Sequence, residues 1–481
     1  MAQHDELKIA QLEQVFAAQK NAHKRHPYSS VEQRLDQLQR IPGMIMANAK
    51  KIAEALNSDY GQHSALTAYM FDGLNVAARA QYVIEALPAW MAREQRPLNP
   101  DVYGSSRAYI EYQAKGVVGN MPAWNFPVDL SVGPLCEMLA AGNRVIIKPS
   151  EQTPAVGEVL AEMLAANFAP EEVTVVNGGI DLARHFSTLC WDHLLYTGNT
   201  AIGREVMINA AQNLVPVTLE LGGKNPTVFT DDAVTQENVE SMLGIKLTKN
   251  GQLCITVDHC YVPSAQLDHF VQLVSQFIAA KTGDYTRSTL NCAVINSRQF
   301  DRLQRYVDEA KAAHPESVIE LGSPAERGEG SNPCRMPFTL VINPAPGSML
   351  DQHEVFGPVL PVLTYEQFDQ VEQRIQDGER PLGVYIYSKQ AALIERLQRN
   401  TTSGGFVANG VALQGAQENL GFGGSGKSGM GRHHGIEGFR EFSNPRGCVE
   451  VADDANLTPL MSPHDTQTRQ FVSVASGGLL D

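Results

Sequence analysis

Among side chains able to bond covalently to a substrate, seven cysteines come first, at positions 136, 190, 254, 260, 292, 334 and 448. Their number is odd, they are widely spaced and no Cys-x-x-Cys occurs, so neither a disulfide framework nor a zinc site is suggested. Free cysteines are ordinarily buried, inert thiols in a reduced, cytoplasmic setting. A chemical one must be singled out by its surroundings. Spacing alone also raises phosphate chemistry. Gly421-Phe-Gly-Gly-Ser-Gly-Lys427-Ser428 matches G-x-x-x-x-G-K-[ST], and the overlapping Gly424-Ser-Gly426-Lys-Ser-Gly429 matches G-x-G-x-x-G. Both need a strand before the loop and a helix after it, to aim backbone N–H groups at phosphate. Here Gly-Met-Gly-Arg-His-His-Gly follows, a poor helix, and only about fifty residues remain, too few for a nucleotide domain. A glycine-rich turn accounts for both matches.

Five other segments agree with one another. They are Trp124-Asn125-Phe126-Pro127, Lys148-Pro-Ser-Glu151, Leu219-Glu220-Leu-Gly-Gly-Lys224, Asn250-Gly-Gln-Leu-Cys254 and Glu354-Val-Phe356-Gly-Pro358. In order and spacing, including the gap from Glu220 to Cys254 (254 − 220 = 34), they resemble the aldehyde dehydrogenase superfamily. The resemblance runs from about Gly116 to about Gly447. Asp192-His-Leu-Leu-Tyr-Thr-Gly, Arg380-Pro-Leu-Gly-Val-Tyr and Ser428-Gly-Met-Gly-Arg-His-His-Gly look like the coniferyl-aldehyde dehydrogenase and class 3 branch.

The resemblance implies oxidation of an aldehyde to a carboxylic acid with NAD, NADP being possible. A hydrophobic or aromatic aldehyde is expected from the branch. Cys254 is the implied nucleophile, since a thiolate attacks a carbonyl readily and leaves a thioester still reactive toward water. The Asn125 amide and the Cys254 backbone N–H are the implied donors to the oxyanion. Glu220 is the implied base that activates water, a task that needs partial burial; the plainer alternative is an ion pair with a neighbour such as Lys224. Implied cofactor residues are Trp124, Lys148 and Glu151, Gly198 and Asn199, and Glu354 with Phe356. Glu151 can accept from ribose hydroxyls but repels a 2′-phosphate, which favours NAD. Asn199 stands where a serine usually follows Thr-Gly, and Ala123, Leu253 and His353 also depart from the family pattern. A relative that passes the acyl group to CoA is the main alternative, and Glu220 speaks against it.

These residues need a scaffold. Residues 7–57 read as helices, and 108–114 alternate like a half-exposed strand of a hairpin arm. A strand-then-helix rhythm follows: strands at 144–148, 173–176, 193–196 and 215–221, with helices at 154–168 and 201–212 and a short helical piece after 176. This is an α/β pattern with a doubly wound parallel sheet of Rossmann type, which binds ligands beyond the carboxyl ends of its strands. Residues 1–100 and 115–222 are expected to form a cofactor domain and 223–422 a second α/β, catalytic domain. Residues 101–114 and 423–481 are expected to form an oligomerisation arm and tail, making a homodimer or larger homo-oligomer. The least charged stretch, 116–136, is interrupted by Pro122, Pro127, Asp129 and Pro134 and reads as a buried, irregular site segment rather than a membrane span.

Bulk composition sets the outer limits. With 481 residues, 43% hydrophobic and 19% charged, the chain has enough core for two or three domains. A formal charge of -15 disfavours nucleic acid or an anionic membrane as partner. The opening MAQHDELKIAQLEQVF is acidic and helix-like, with no signal-peptide pattern.

Overall fold

Short apolar runs between amphipathic helices give two mostly parallel sheets. The computed structural model describes residues 2–329, 332–463 and 466–478. The first sheet runs, edge to edge, Gly429–Met430, Val217–Leu221, His193–Gly198, Val117–Met121, Arg144–Ile147 and Val173–Val175. All are parallel except Gly429–Met430. The chain starts in the middle at Val117–Met121, steps outward twice, then returns to build the other half from His193–Gly198. Strand order therefore reverses between Val117–Met121 and His193–Gly198, where such sheets open a crevice at their carboxyl ends. Alternate strand residues face two cores. Val118, Val145 and Ile147 pack with Leu38, Val83, Leu135 and Leu160 of the helices on one side. Val117, Ile146 and Leu219 pack with Leu12, Phe186 and Val206 on the other. The rhythm read from sequence is thus present, with elements shifted only at their ends.

The stretch 116–136 is more regular than expected. It contains the central strand Val117–Met121, buried throughout, and most of the helix Asp129–Ala140, buried at every residue after Asp129. A helix apolar on all sides shows no 3.6-residue stripe, and its internal Pro134 reads as a breaker. Only the link between strand and helix, which carries Trp124 and Asn125, is irregular.

The second sheet runs Val318–Leu321, Phe338–Ile342, Val359–Tyr365, His259–Pro263, Pro226–Phe229, Gly383–Tyr387 and Gly405–Ala408, parallel except for Val318–Leu321. Helices Gln236–Leu247 and Leu267–Thr282 cover one face through Met242, Leu243, Phe270 and Val274. Helices Ser297–Ala313, Phe368–Asp377 and Ala391–Asn400 cover the other.

After the second sheet the chain returns to the first. Gly429 pairs with Glu220 and Met430 with Leu219. A Cβ on Gly429 would lie 2.0 Å from the Leu219 carbonyl oxygen, and its φ is +138°, so only glycine fits this approach. The glycine-rich run is a backbone-on-backbone return: Gly426–Ser428 forms one 3₁₀ turn, a strand rather than a helix follows, and Lys427 is paired with Glu379. A third sheet joins Glu94–Arg96, Arg107–Ala114 and Ser443–Glu450, all antiparallel. The strand expected in a hairpin arm at 108–114 spans Arg107–Ala114 and is its middle member. The long edge is Ser443–Glu450, which sequence reading missed because its partner lies over 300 residues away. No helix among the described residues is long and apolar enough to cross a membrane.

Candidate active site

Cys254 ends a loop that is bent tightly and held on both sides. Helix Gln236–Leu247 passes into the turn Thr248–Gly251, where Lys249 (φ 43°) and Asn250 (φ 59°) adopt left-handed backbone. Non-glycine residues in that region cost of order 1–3 kcal/mol each and persist only when surroundings over-determine them. Here the Tyr285 hydroxyl donates to the Asn250 side chain. Buried Gln252 donates to the carbonyls of Lys249 and Ala293, both at 2.9 Å, and accepts from the Ile295 N–H at 3.1 Å. Beyond the sulfur, Asn225 donates to the carbonyls of Cys254 (2.7 Å) and Thr256 (2.9 Å) and accepts from the Gly383 N–H (2.8 Å). The Tyr385 hydroxyl donates to the Ile255 carbonyl at 2.7 Å. All seven cysteines are free thiols, and Cys254 is held between these anchors with its side chain part-exposed. Burial, then the carboxylates of Glu220 and Glu354, push its thiol well up from the ordinary range.

Glu220 sits in the buried strand Val217–Leu221, positioned by its ladder to His193–Gly198 on one side and to Gly429 on the other. Neither carboxyl oxygen meets a hydrogen-bond partner among the described residues. Desolvation holds its pKa well above the usual carboxylate range, opposed in part by the Arg432 charge. His433 Nε2 lies 4.0 Å from Oε1, and burial keeps that imidazole neutral by driving its pKa down. The ion pair with Lys224 is not formed. Lys224 instead meets Asp258 at 2.7 Å and donates to the carbonyls of Leu350 and His353. An unpaired buried carboxylate is costly, and a site that needs a base is where such a cost is kept. Asn125, 3% exposed, donates from Nδ2 to the Gln252 carbonyl at 3.1 Å, which ties the segment after the central strand to the loop of Cys254.

The remaining expected residues line the carboxyl edge of the first sheet. Lys148 and Glu151 follow strand Arg144–Ile147 and form an ion pair of 2.9 Å with Glu151 part-exposed. Burial works against the Glu151 charge, but the Lys148 ammonium wins and lowers its pKa. Gly198 ends its strand, and Asn199 caps the helix Thr200–Ala211 by accepting from the Ile202 N–H at 3.0 Å. Glu354 lies against Gly222, where a Cβ would come within 2.1 Å of its carboxylate. Burial raises the Glu354 pKa to about 8, with Asp258 adding to the rise. Phe356 (φ 47°) meets the Trp124 ring edge-to-face at 5.4 Å. Two residues absent from the sequence reading hold this loop. Arg302 donates to the carbonyls of Glu354, Val355 and Phe356, and Asp258 accepts from the Val355 N–H at 2.8 Å. Nothing in the sequence around Arg302 marks it, whereas Asn225 directly follows the Lys224 motif. A cleft of about 930 Å³ runs between the sheets past Thr200, Gly222, Gly223, Glu354 and Lys427.

A dinucleotide suits this edge. The reversal of strand order and the start of a twelve-residue helix at that edge suit a pyrophosphate, and Gly222 leaves room there for the Glu354 carboxylate. Fold and site define a nicotinamide-nucleotide-dependent oxidoreductase. The chain belongs to the aldehyde dehydrogenase family, which matches residues 1–447, and it is an NAD(P)-dependent enzyme of that family. It is 36% identical over 466 residues to the coniferyl aldehyde dehydrogenase of a Pseudomonas species, covering 96% of each chain. It is 31% identical over 475 residues to the dimeric NADP-preferring aldehyde dehydrogenase of the dog, covering 97% of this chain and 98% of that one. Among solved structures, substrate-bound AldH of Staphylococcus aureus matches with a TM-score of 0.89 and 26% identity, over 96% of this chain and 99% of the other.

Proposed function

We propose that the enzyme oxidises a hydrophobic or aromatic aldehyde to the carboxylic acid through a thioester on Cys254 that water hydrolyses. The observation that carries this is the convergence at Cys254 of two carboxylates, buried Glu220 and half-buried Glu354, with the Asn125 amide bonded to the same loop. The part-exposed Cys254 thiol gives its proton to solvent water, and its sulfur bonds to the aldehyde carbon. The carbonyl oxygen becomes an oxyanion that accepts from Asn125 Nδ2, whose second N–H meets no partner among the described residues, and from the Cys254 N–H. When bound, the oxidised nicotinamide supplies the acceptor for the hydride that leaves this carbon. Glu220 then takes a proton from water, the water oxygen bonds to the thioester carbon, and the carbon–sulfur bond breaks to release the acid and restore Cys254.

Trp124, Glu354 and Phe356 would hold the nicotinamide end, Gly198 and Asn199 the pyrophosphate, and Lys148 and Glu151 the adenosine ribose. On this reading the first sheet binds cofactor, the second carries Cys254, and the third joins copies of the chain. A relative named for coniferyl aldehyde supports an apolar, aromatic substrate. The relative named dimeric supports a homodimer or larger assembly. Free thiols throughout suit the cytoplasm.

The test is a panel of aldehydes followed by the absorbance of reduced nicotinamide, with and without CoA. The expected product is the free acid, independent of CoA, with aromatic aldehydes preferred over acetaldehyde. An acyl-CoA product would remove the assigned role of Glu220. Cys254→Ala should abolish turnover while NAD still binds, and Cys448→Ala should leave turnover largely intact. Near-normal turnover in Cys254→Ala would overturn the mechanism.

A further inference from the structure

Lys249 is fully buried in the loop that leads to Cys254, and it is held in left-handed backbone. Its ammonium meets the Asp72 carboxylate at 2.8 Å and donates to the Asn125 carbonyl at 2.8 Å, and it stands 3.9 Å above the Phe126 ring. Asp72 is fully buried as well, and its other oxygen meets no hydrogen-bond partner among the described residues. Among the described residues Lys249 is thus the one cation paired with it. Asp72 belongs to a π-helical turn, Ala68–Leu74, and Phe71 of that turn meets Phe126 edge-to-face at 5.8 Å. Widened turns of this kind are frequent at functional sites. One ammonium therefore joins three segments: the loop of the nucleophile, the link that carries Asn125, and the π-turn.

We propose that the Lys249–Asp72 pair is a positioning device that fixes the Asn125 amide relative to Cys254. Nδ2 of Asn125 is tied to the Cys254 loop at Gln252, and its own carbonyl is tied to the same loop at Lys249. With both ends fastened, the second N–H of the amide keeps one direction. A buried ion pair adds little net stability over apolar residues of the same shape, so orientation is the better account of its presence. The inference rests on the oxyanion role of Asn125, and the tests separate the two.

The main variant carries Lys249→Met together with Asp72→Asn, so that no buried charge is orphaned; Asp72→Asn alone loosens the pair and keeps the ammonium. Misplacing a donor by about 1 Å can cost up to about 100-fold in rate. The double variant should lose about tenfold or more in kcat, with KM changed less than about twofold and the alkylation rate of Cys254 by iodoacetamide unchanged. Asp72→Asn alone should show a smaller loss of the same kind. In an Asn125→Ala background neither change should lower kcat further, because the group they position is gone. A merely structural role predicts instead that stability falls and that kcat losses add in full to that of Asn125→Ala. Should the double variant not fold, Asp72→Asn decides by the same readouts. If Asn125→Ala lowers kcat and neither positioning variant does, the pair is structural and the proposal falls alone. If Asn125→Ala leaves kcat intact, the oxyanion reading falls and takes this one with it.

Discussion

Glu220 shows how one residue can be legible by type and spacing while its physics is not. The gap to Cys254 marks it, but its burial comes from a strand with neighbours on both sides, one of them the late-returning Gly429. The same holds for Asn125 and Cys254. Their identities stand out, yet Asn225, Gln252 and Arg302, which hold the loops in place, are ordinary polar residues until folding buries their bonds. The raised pKa of Glu220 gives a pH prediction. Deacylation needs the carboxylate form, and desolvation favours the acid. The limb of kcat that depends on Glu220 should therefore rise with pH, with its midpoint above the ordinary glutamate range. Glu220→Gln keeps the size of the side chain and cannot accept a proton, so that limb should vanish. Hydride transfer should persist for one turnover, giving a burst of reduced nicotinamide up to one per site and then a steady state about 10²–10⁴-fold slower. Intact-protein mass spectrometry should show the acyl adduct, and hydroxylamine should restore part of the turnover. Loss of the burst as well would mean that Glu220 activates the thiol instead.

Among the elements, most strands and helices of the first sheet are readable because each alternates between faces or shows an apolar stripe. The exceptions are the central strand Val117–Met121, buried at every residue, and the helix Asp129–Ala140, buried at every residue after its first, which lack both patterns. The cofactor edge depends on how these elements end. Asn199 departs from the family's usual serine, but its side chain caps the helix Thr200–Ala211. Asn199→Ala should cost about 1 kcal/mol of stability through loss of the cap and raise KM for NAD, while Asn199→Ser should be close to neutral in both. A thermal melt and cofactor titration read the two effects. At the end of strand Arg144–Ile147, one strand further along the sheet than the central strand, Lys148 keeps Glu151 ionised and so repulsive toward a 2′-phosphate. Glu151→Ser removes that charge and leaves the Lys148 ammonium free to meet the phosphate. The ratio of kcat/KM for NADP over NAD should rise roughly tenfold or more, because juxtaposed like charges cost several kcal/mol when desolvated and less when part-exposed. An unchanged ratio would place the ribose elsewhere.

For the whole molecule, the third sheet leaves a long strand edge uncovered among the described residues. Arg107–Ala114 is paired along its whole length with Ser443–Glu450 and over Ala108–Ile110 with Glu94–Arg96, so the alternation seen in its sequence is largely met within the chain. Among the described residues the longer unpaired edge belongs to Ser443–Glu450, eight residues long and mostly exposed, with Val449 and the following Val451 each 55% exposed. The tail beyond is tied back by Asp454, which accepts from the Ser105 N–H at 2.9 Å, so the edge is a fixed surface and not a loose end. A long edge with exposed valines invites strand pairing with another copy, and a twofold arrangement is the commonest closed solution. Light scattering at micromolar concentration should therefore give a dimer or an even multiple of it. Val449→Lys with Val451→Lys places two like charges where the copies would meet and should shift the mass toward the monomer. Because both residues lie outside the candidate site, the dissociated form should still bind NAD. A wild-type chain that is monomeric under these conditions would show that the sheet serves only to fasten the C-terminal strand to the body of the enzyme.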